Sequence, residues 1–368
     1  MSISRDDFLK ILQRAIQKDA SDIHIKTGHA PYYRVDGIME SQGGPALQAE
    51  DLDSISRILC NEEQIRFFGK KGELDFAFTE KGVGRFRTNI FRQRGTISLV
   101  MRRIKTKILT WEQLNLPRAG LKMTELVRGM ALVTGTTGSG KSTALAALID
   151  SINERRRCHI VTIEDPIEFV HQDKRSVVNQ REVTIDTHDF TTALKAVMRQ
   201  DPDVILVGEM RDHETFQAVM SASETGHLVF STLHTTNVKQ TIDRIIDLFP
   251  STQQSQILSQ LANNLRAVMC MRLLPRADKT GRVPCVELML VNHSIRKLIK
   301  DGRSVQLSSA IQQGREEGMQ TFNDSLYTLI KTGLITHEEG MNSSENPEEL
   351  NMQLQGIRLS SAGGGILG

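Results

Sequence analysis

The sequence predicts two domains, an α+β domain followed by an α/β domain. The chain has 368 residues, 39% hydrophobic and 24% charged, as is typical of soluble globular proteins with two or three domains. Short alternating segments such as ELDFAF and GRFRTNIF fill residues 22–99 and indicate an antiparallel sheet. Beyond residue 120, short apolar runs alternate with helical patterns, which is typical of a parallel sheet covered by helices on both faces.

The first predicted element is an amphipathic helix. Its first turn has the capping-box pattern of Ser4 and Asp7, and apolar residues then recur at helical spacing. These apolar residues are Phe8, Ile11, Leu12, Ala15 and Ile16. Basic residues share the helix with acidic ones, so a membrane-surface helix remains the alternative to core packing.

The segment KTKILTWEQLNLPRAG, residues 105–120, fits neither the helix nor the strand period. It carries Trp111, the only tryptophan, and one proline. We therefore predict an interdomain linker over 105–120, between domains at 1–104 and 121–368. The second domain would end in helices, and the stretch after Asn342, ending SSAGGGILG, predicts a flexible tail.

Charge and cysteine content narrow the functional classes. Lys and Arg number 46 against 44 Asp and Glu, and this balance gives no reason to expect a nucleic-acid partner. The four cysteines lie far apart without a C-x-x-C pair, which argues against a zinc ribbon or a disulfide framework and indicates a cytoplasmic protein. No run approaches the ~18 apolar residues of a membrane span, and the N-terminus lacks a signal pattern.

A phosphate-binding loop is the strongest motif of the chain. The buried-strand pattern GMALVT leads into GTTGSGKST, which fits G-x-x-x-x-G-K-[ST] at every fixed position, and an apolar helical pattern follows. Backbone N–H groups of such a loop surround phosphate oxygens, so we predict that ATP binds here. The predicted nucleotide-binding residues are Gly135, Thr136, Thr137, Gly138, Ser139, Gly140, Lys141, Ser142 and Thr143. Lys141 would reach the β- and γ-phosphates, and Ser142 would ligate Mg²⁺.

Two carboxylates are candidates for the chemistry of hydrolysis. Glu209 ends the apolar run DVILVGE, and because Gly208 stands where P-loop proteins commonly have Asp, Glu209 would take the metal role, through water. Glu164 ends the strand pattern VTIE, before Pro166, and is placed to polarise water. A helix cap for Glu209 and a merely acidic turn for Glu164 are the alternatives.

Two histidines flank the next apolar run, in TGHLVFSTLHTTN. A strand would hold His227 and His234 roughly 20 Å apart, so they cannot share a metal ion. His234 would lie at the carboxyl edge of the sheet and sense the γ-phosphate. His227 would lie at the far end, where a catalytic role and a packed structural role both stay open.

The segments GTTGSGKST, TIEDPIEF, DPDVILVGEMRD and TGHLVFSTLHTTN, in this order, resemble the motifs of the secretion-type ATPases. Within them, nearly the whole chain resembles the type IV pilus retraction ATPases of the PilT/PilU branch. The resemblance implies a PAS-like N-terminal domain and a RecA-like ATPase domain in a cytoplasmic homohexamer. It also implies a motor that hydrolyses ATP, with Mg²⁺, to drive pilus retraction and twitching motility. In the family, Glu164 falls in the Asp box, Glu209 in the Walker B element and His234 in the His box.

The resemblance also implies partners. An inner-membrane pilus platform protein would hold the motor at the membrane, and a paralogous retraction ATPase is a further candidate. The family completes its active site with arginines of the N-terminal domain. In GRFRTNIFRQRGTISLVMRRI, Arg87 and Arg102 match best, and Arg85 would share the strand face of Arg87. Solvated strand arginines are the alternative.

Three other functions stay open. An accessory retraction ATPase of the PilU type is suggested because SIRKLIKD, at 294–301, departs from the family's AIRNLIRE motif, and Leu298 and Ile299 of this segment would also suit a core stripe. A pilus-assembly or type II secretion ATPase usually has a longer N-terminal region and a tetracysteine motif. A non-hydrolysing regulatory subunit would be expected to have lost Lys141, Glu164 or Glu209.

Overall fold

The computed structural model describes residues 2–35, 37–104 and 107–356. Its contacts group the chain into two compact units. The first unit comprises the chain up to Lys107 together with Glu168–Val170. The second unit comprises Ile108–Ile167 and the chain from His171 onwards. The protein is thus a mixed α/β protein, and each unit is described by itself.

In the first unit, six strands of the described residues form a sheet in the order β3-β2-β1-β6-β5-β4. All neighbouring strands are antiparallel, as the alternating segments predict. The strands are β1 Asp22–Lys26, β2 Tyr32–Val35, β3 Ile38–Ser41, β4 Glu73–Glu80, β5 Gly84–Gln93 and β6 Thr96–Ile104. The helices are α1 Arg5–Gln17, α2 Ala49–Leu59 and α3 Glu62–Lys71.

The helices of the first unit share a core with one face of its sheet. In α1, the Ser4 side chain accepts a hydrogen bond from the Asp7 backbone, as predicted, and Phe8 and Leu12 are buried. They belong to the same apolar cluster as Phe86 and Met101 of the sheet. This burial explains the amphipathic pattern of α1 by core packing.

In the second unit, seven strands of the described residues form a sheet in the order β13-β12-β7-β11-β10-β8-β9. All neighbours are parallel except β12 and β13, which form an antiparallel hairpin. The strands are β7 Gly129–Thr134, β8 His159–Glu164, β9 Val177–Glu182, β10 Val204–Val207, β11 Leu228–Leu233, β12 Leu265–Pro275 and β13 Arg282–Leu290. The parallel strands predicted from the apolar runs are β7, β8, β10 and β11.

Helices cover both faces of this second sheet. The helices are α4 Lys141–Arg155, α5 Phe190–Val197, α6 His213–Glu224, α7 Val238–Asp247, α8 Gln254–Asn264, α9 His293–Lys300, α10 Leu307–Gln313, α11 Phe322–Lys331, α12 His337–Ser343 and α13 Pro347–Leu354. Alternate residues of β7 point to opposite faces: Leu132 joins the core beneath α5 to α8, and Val133 joins the core beneath α4. Burial on both faces accounts for the continuous apolar strand sequences.

The predicted linker is largely part of the second unit. Trp111 is 3% exposed, belongs to the core beneath α4 and donates a hydrogen bond from Nε1 to the Pro117 carbonyl. A 3-10 helix, Arg118–Glu125, follows and brings Gly120 against the indole ring. The packing of a single tryptophan produces no periodic pattern, so the sequence did not predict that this segment belongs to the second unit.

The prediction of a flexible tail directly after Asn342 was wrong. Helix α13 follows, with Pro347 in its first turn, Asn346 as its N-cap and Leu350 fully buried. Asparagine followed by proline and two glutamates is a helix-start signal that outweighs the polar composition of the segment. The glycine-rich end that the prediction also covered, residues 357–368, lies outside the described residues. Across the described part of the chain, no helix is long and apolar enough to span a membrane.

Candidate functional site

The glycine-rich loop lies between the fully buried strand β7 and the helix α4, as the motif requires. Gly135 has φ +148°, and a Cβ there would meet Ser139 Oγ at 2.4 Å and the Met271 carbonyl at 2.5 Å. Gly140, with φ +94°, precedes the first residue of α4. Only glycine fits these two positions, so the loop can bring its backbone N–H groups close to a phosphate.

Lys141 is held at this loop although its charge is largely shielded from solvent. The residue is 9% exposed, and Nζ donates hydrogen bonds to the carbonyls of Gly135 at 2.8 Å and Thr136 at 3.0 Å. Nζ also lies 3.5 Å from Nδ1 of His234. The phosphate loop and the predicted γ-phosphate sensor are thus brought into contact.

Glu209 and His234 form a second contact beside the loop. Strand β10 pairs in parallel with β8 and β11, so the residues that follow these strands share the carboxyl edge of the sheet. His234 Nε2 lies 3.0 Å from Glu209 Oε1, and the Glu209 side chain is 18% exposed. Arg211 Nε donates to the other carboxylate oxygen of Glu209, Oε2, at 2.9 Å.

Glu164 ends β8 at the same edge. Its Oε1 accepts hydrogen bonds from Thr162 Oγ1 at 2.6 Å and from Gln180 Nε2 at 3.1 Å. The next peptide bond, Asp165-Pro166, is cis. The side chain of Glu164 is therefore oriented by partners on its own strand and on the neighbouring strand β9.

The structure does not bring His227 to this cluster. Leu228, the next residue, pairs with Gly129 and Val204 at the amino ends of their strands, whereas Leu233, the residue before His234, pairs with Thr134 at the carboxyl end of β7. His227 Nδ1 contacts the Ala222 carbonyl at 3.0 Å. The two histidines lie at opposite ends of β11, as the length of the run predicts.

The predicted arginines belong to the first unit. Arg85 and Arg87 project from one face of β5, opposite the face that buries Phe86, and Arg87 pairs across the strands with Arg102 of β6. Arg102 Nε donates to Asp22 Oδ1 at 2.8 Å, and the Arg102 side chain is 70% exposed. Their phosphate-contacting role stays a prediction.

Several site contacts were not predicted from the sequence. Arg211 stands two residues after Glu209, close enough in GEMRD to have been proposed. Thr162 alternates with Glu164 along β8, which is also a readable signal. Gln180 gave no signal, because it lies on the edge strand β9, whose sequence VVNQRE is polar, and the register of β9 beside β8 is a tertiary feature.

A buried carboxylate supports the segment that follows His234. Glu287 of β13 is 6% exposed, and its Oε2 accepts a hydrogen bond from the backbone N–H of Val238, the first residue of α7. Burial raises the pKa of Glu287 to about 7. Glu287 was not singled out from the sequence, because a single glutamate within an apolar strand pattern shows no partner.

The segment SIRKLIKD, which departs from the AIRNLIRE motif of the family, forms most of helix α9. Asn292 caps the helix, Ile295 and Ile299 are buried, and Leu298 is partly buried. Arg296 is exposed. The helix therefore buries an apolar stripe, as expected for Ile299, and presents its basic residues outward.

A phosphate loop between a buried strand and a helix, with acidic groups and a histidine at the same edge of a parallel sheet, is typical of P-loop nucleotide-binding proteins. Residues 3–342 match the family described as type II/IV secretion system protein, and the chain belongs to this family.

Two relatives and one solved structure resemble the chain over nearly its whole length. It is 42% identical over 342 residues to the type IV pilus retraction ATPase PilT of Pseudomonas aeruginosa, covering 93% of this chain and 99% of that protein. It is 38% identical to the type IV pilus ATPase PilU of the same organism, over 95% of this chain and 91% of PilU. A crystal structure of the pilus retraction motor PilT with bound ADP superposes with a TM-score of 0.88 at 44% identity, covering 95% and 99% of the two chains.

Proposed function

We propose that this protein is an ATPase that converts ATP hydrolysis into the retraction of type IV pili. The observation that carries the proposal is the contact of Lys141 with His234 and of His234 with Glu209, beside a loop in which two positions accept only glycine. A retraction ATPase, PilT, resembles the chain over nearly its whole length. The structure of PilT with bound ADP supports the binding of a nucleotide by this protein.

Each site residue has a chemical role in this proposal. The N–H groups at the start of α4 and the ammonium of Lys141 bind the phosphates. Glu164 orients and polarises the attacking water, and His234 contacts the γ-phosphate and so distinguishes ATP from ADP. His227, at the other end of β11, acts on this chemistry only through packing.

The side chains of the loop fit a magnesium ion. Ser142 lies in the first turn of α4, and Glu209 provides the acidic group after β10, which β11 separates from the strand β7 before the loop. Among the described residues, no group of three or more His, Cys, Asp or Glu could hold a metal ion. Ser142 and Glu209 would be enough protein ligands for Mg²⁺, because this ion is usually bound by one or two protein ligands together with substrate phosphates and water. Bound there, Mg²⁺ would neutralise charge on the phosphates during hydrolysis.

The motor function requires more than one chain and more than one domain. We propose that the first unit is the PAS-like domain and the second the RecA-like domain of a homohexamer in the cytoplasm. Arg87 and Arg102 would complete the site by stabilising charge on the γ-phosphate. An inner-membrane platform protein would receive the resulting motion.

Two measurements test the proposal. The purified protein should hydrolyse ATP, and a strain that lacks the gene should accumulate surface pili while losing twitching motility. Loss of surface pili on deletion would instead indicate an assembly ATPase. Absence of turnover in a protein that still binds ATP would indicate a regulatory subunit.

An accessory retraction ATPase is the second candidate, because PilU also resembles the chain over 95% of its length. A strain deleted for this gene but containing another retraction ATPase distinguishes the two. A primary motor is required for retraction even when the paralogue is present, whereas an accessory ATPase affects retraction only in concert with that paralogue.

A further inference from the structure

We infer that Gln180, assisted by Thr162, is a positioning residue for the carboxylate of Glu164. The inference rests on the proposed function, because it assigns a support to the carboxylate that would polarise water. Gln180 and Thr162 would act by fixing the plane of this carboxylate, without touching the nucleotide.

The register of two parallel strands brings these three side chains together. Thr162 of β8 pairs directly with Gln180 of β9, and Glu164 follows Thr162 on the same face of β8. Oε1 of Glu164 accepts from Thr162 Oγ1 at 2.6 Å and from Gln180 Nε2 at 3.1 Å. Two donors from different strands therefore converge on one carboxylate oxygen.

A third hydrogen bond determines which end of the Gln180 amide faces Glu164. Gln180 Oε1 accepts from the backbone N–H of His171 at 2.8 Å. Since a backbone N–H can only donate, the amide oxygen must face His171, and the NH₂ group must then face Glu164. The amide cannot reverse without bringing an oxygen against a carboxylate.

The group that donates to Gln180 does not depend on the protonation of His171. The donor to Gln180 is a backbone group, which does not titrate in this range. Burial lowers the pKa of the His171 imidazole to about 4, so the ring stays neutral under physiological conditions. Gln180 is thus a constant neutral donor to Glu164.

The orientation matters because general-base catalysis depends on distance and direction. A carboxylate that rotates about its last bond moves its oxygens relative to the attacking water, and small misplacements lower the rate. Hydrogen bonds donated to a carboxylate also favour its charged form, which is the form that accepts a proton. Both effects change the turnover number more than the binding of ATP.

The test uses two substitutions of Gln180 and one matched control. Gln180→Met keeps the length of the side chain but removes the amide, whereas Gln180→Glu keeps an acceptor for His171 and replaces the donor to Glu164 by an oxygen. We expect Gln180→Met to lower kcat by about tenfold, the size expected for one hydrogen bond to a charged group, and Gln180→Glu to lower it at least as much because two carboxylates repel. KM and ATP binding should stay near the parental values. Should Gln180→Met fail to fold, Gln180→Glu carries the test.

Asn179 supplies the control because it is an amide on the same strand that points the other way. Its Nδ2 lies 2.9 Å from His159 Nε2. Asn179→Ala should keep the parental kcat. A role of Gln180 in folding alone would lower the melting temperature and leave kcat per folded molecule unchanged, and that result would overturn the inference.

A double-mutant cycle decides whether Gln180 acts through Glu164. In the Glu164→Gln background, measured in single turnover, adding Gln180→Met should cause no further loss, because the group that Gln180 positions is already absent. A further tenfold loss would show that Gln180 acts elsewhere. If Glu164→Gln alone keeps parental turnover, the proposed role of Glu164 fails, which is a different outcome from parental turnover in the Gln180 variants alone.

Discussion

Lys141 and the two acidic residues of the site differ in their surroundings. We therefore expect Lys141 to serve the binding of ATP and the acidic residues to serve its hydrolysis. Lys141 lies among the carbonyls of the loop, whereas Glu164 and Glu209 lie at the ends of neighbouring strands. A charge at the phosphates supports binding, and a strand-end carboxylate acts when water attacks.

Lys141→Ala should therefore abolish ATP binding, as measured with a fluorescent nucleotide. Glu164→Gln and Glu209→Gln should bind ATP near the parental affinity and lose turnover by roughly 100-fold or more. Lys174→Ala is the control, because Lys174 of the same unit pairs with Asp150 and Glu154 away from the loop. Parental turnover in either glutamate variant would contradict its role.

The histidines at the two ends of β11 should respond differently to alanine. His234→Ala removes the contact with Glu209, so we expect lower turnover at an unchanged melting temperature. His227→Ala removes a hydrogen bond to the Ala222 carbonyl, so we expect a loss of about 1 kcal/mol of unfolding free energy and little change in turnover. Activity lost only in the His227 variant, at a parental melting temperature, would reverse the assignment.

At the scale of the residue, the sequence predicts side chains whose positions are fixed by local motifs. Lys141 follows directly from the spacing of the loop, and Glu209 and His234 follow from the ends of apolar runs. Gln180 and Glu287 could not be predicted, because their partners Glu164 and Val238 are brought to them by strand pairing and helix packing.

A buried carboxyl group of β13 accepts a hydrogen bond from helix α7, and its burial makes ionisation unfavourable. Glu287 is buried and accepts from the first backbone N–H of α7. Burial raises the pKa of Glu287 from an ordinary value of 4.5 to about 7 in the folded protein. Between these pH values the folded state binds more protons than the unfolded state, so this group's contribution to stability decreases as pH rises and levels off above pH 7.

Glu287→Gln should remove this pH dependence, because the amide oxygen still accepts from Val238 and no charge is buried. We expect the variant to be more stable than the parent at pH 8 by up to about 3 kcal/mol, and the difference to vanish towards pH 4.5. Denaturant unfolding across this pH range measures the effect. The exposed Glu316→Gln serves as the control, and a difference independent of pH would contradict the assignment.

At the scale of the element, the sequence predicts the helices and strands whose apolar pattern is strong and misses those whose pattern is weak. The amphipathic α1 and the apolar strands β7, β8, β10 and β11 follow from the sequence. Strand β9 is polar and lies at the edge of the sheet, so only its pairing with β8 defines it. Helix α13 was missed because its start signal is a cap and a proline rather than an apolar stripe.

The whole molecule combines two units that carry different parts of the proposed site. Arg87 and Arg102 lie in the first unit, on the exposed face of its sheet, and Lys141 lies in the second unit. That these arginines complete the site, as in the family that the sequence resembles, stays a prediction. Such a site would couple the state of the nucleotide to the positions of the units, because ADP lacks the γ-phosphate oxygens that arginines would contact.

Replacing Arg87 and Arg102 together by alanine should lower ATP binding modestly and abolish turnover. The reason is that a guanidinium stabilises charge that develops during hydrolysis more than charge already present in ATP. Nucleotide-dependent changes of shape, followed by small-angle scattering, should weaken in the same variant. Arg66→Ala, on the exposed side of α3, is the control, and parental turnover of the double variant would show that the arginines are surface charges.

Trp111 allows the unfolding of one of the two units to be followed separately. It is the only tryptophan of the chain, and it is buried in the second unit, against Gly120 and beneath α4. Intrinsic tryptophan fluorescence therefore reports the opening of the second unit alone, whereas far-ultraviolet circular dichroism reports the melting of both. Coincident curves from the two signals would mean that the units unfold as one cooperative body, and separated curves would give each unit its own midpoint.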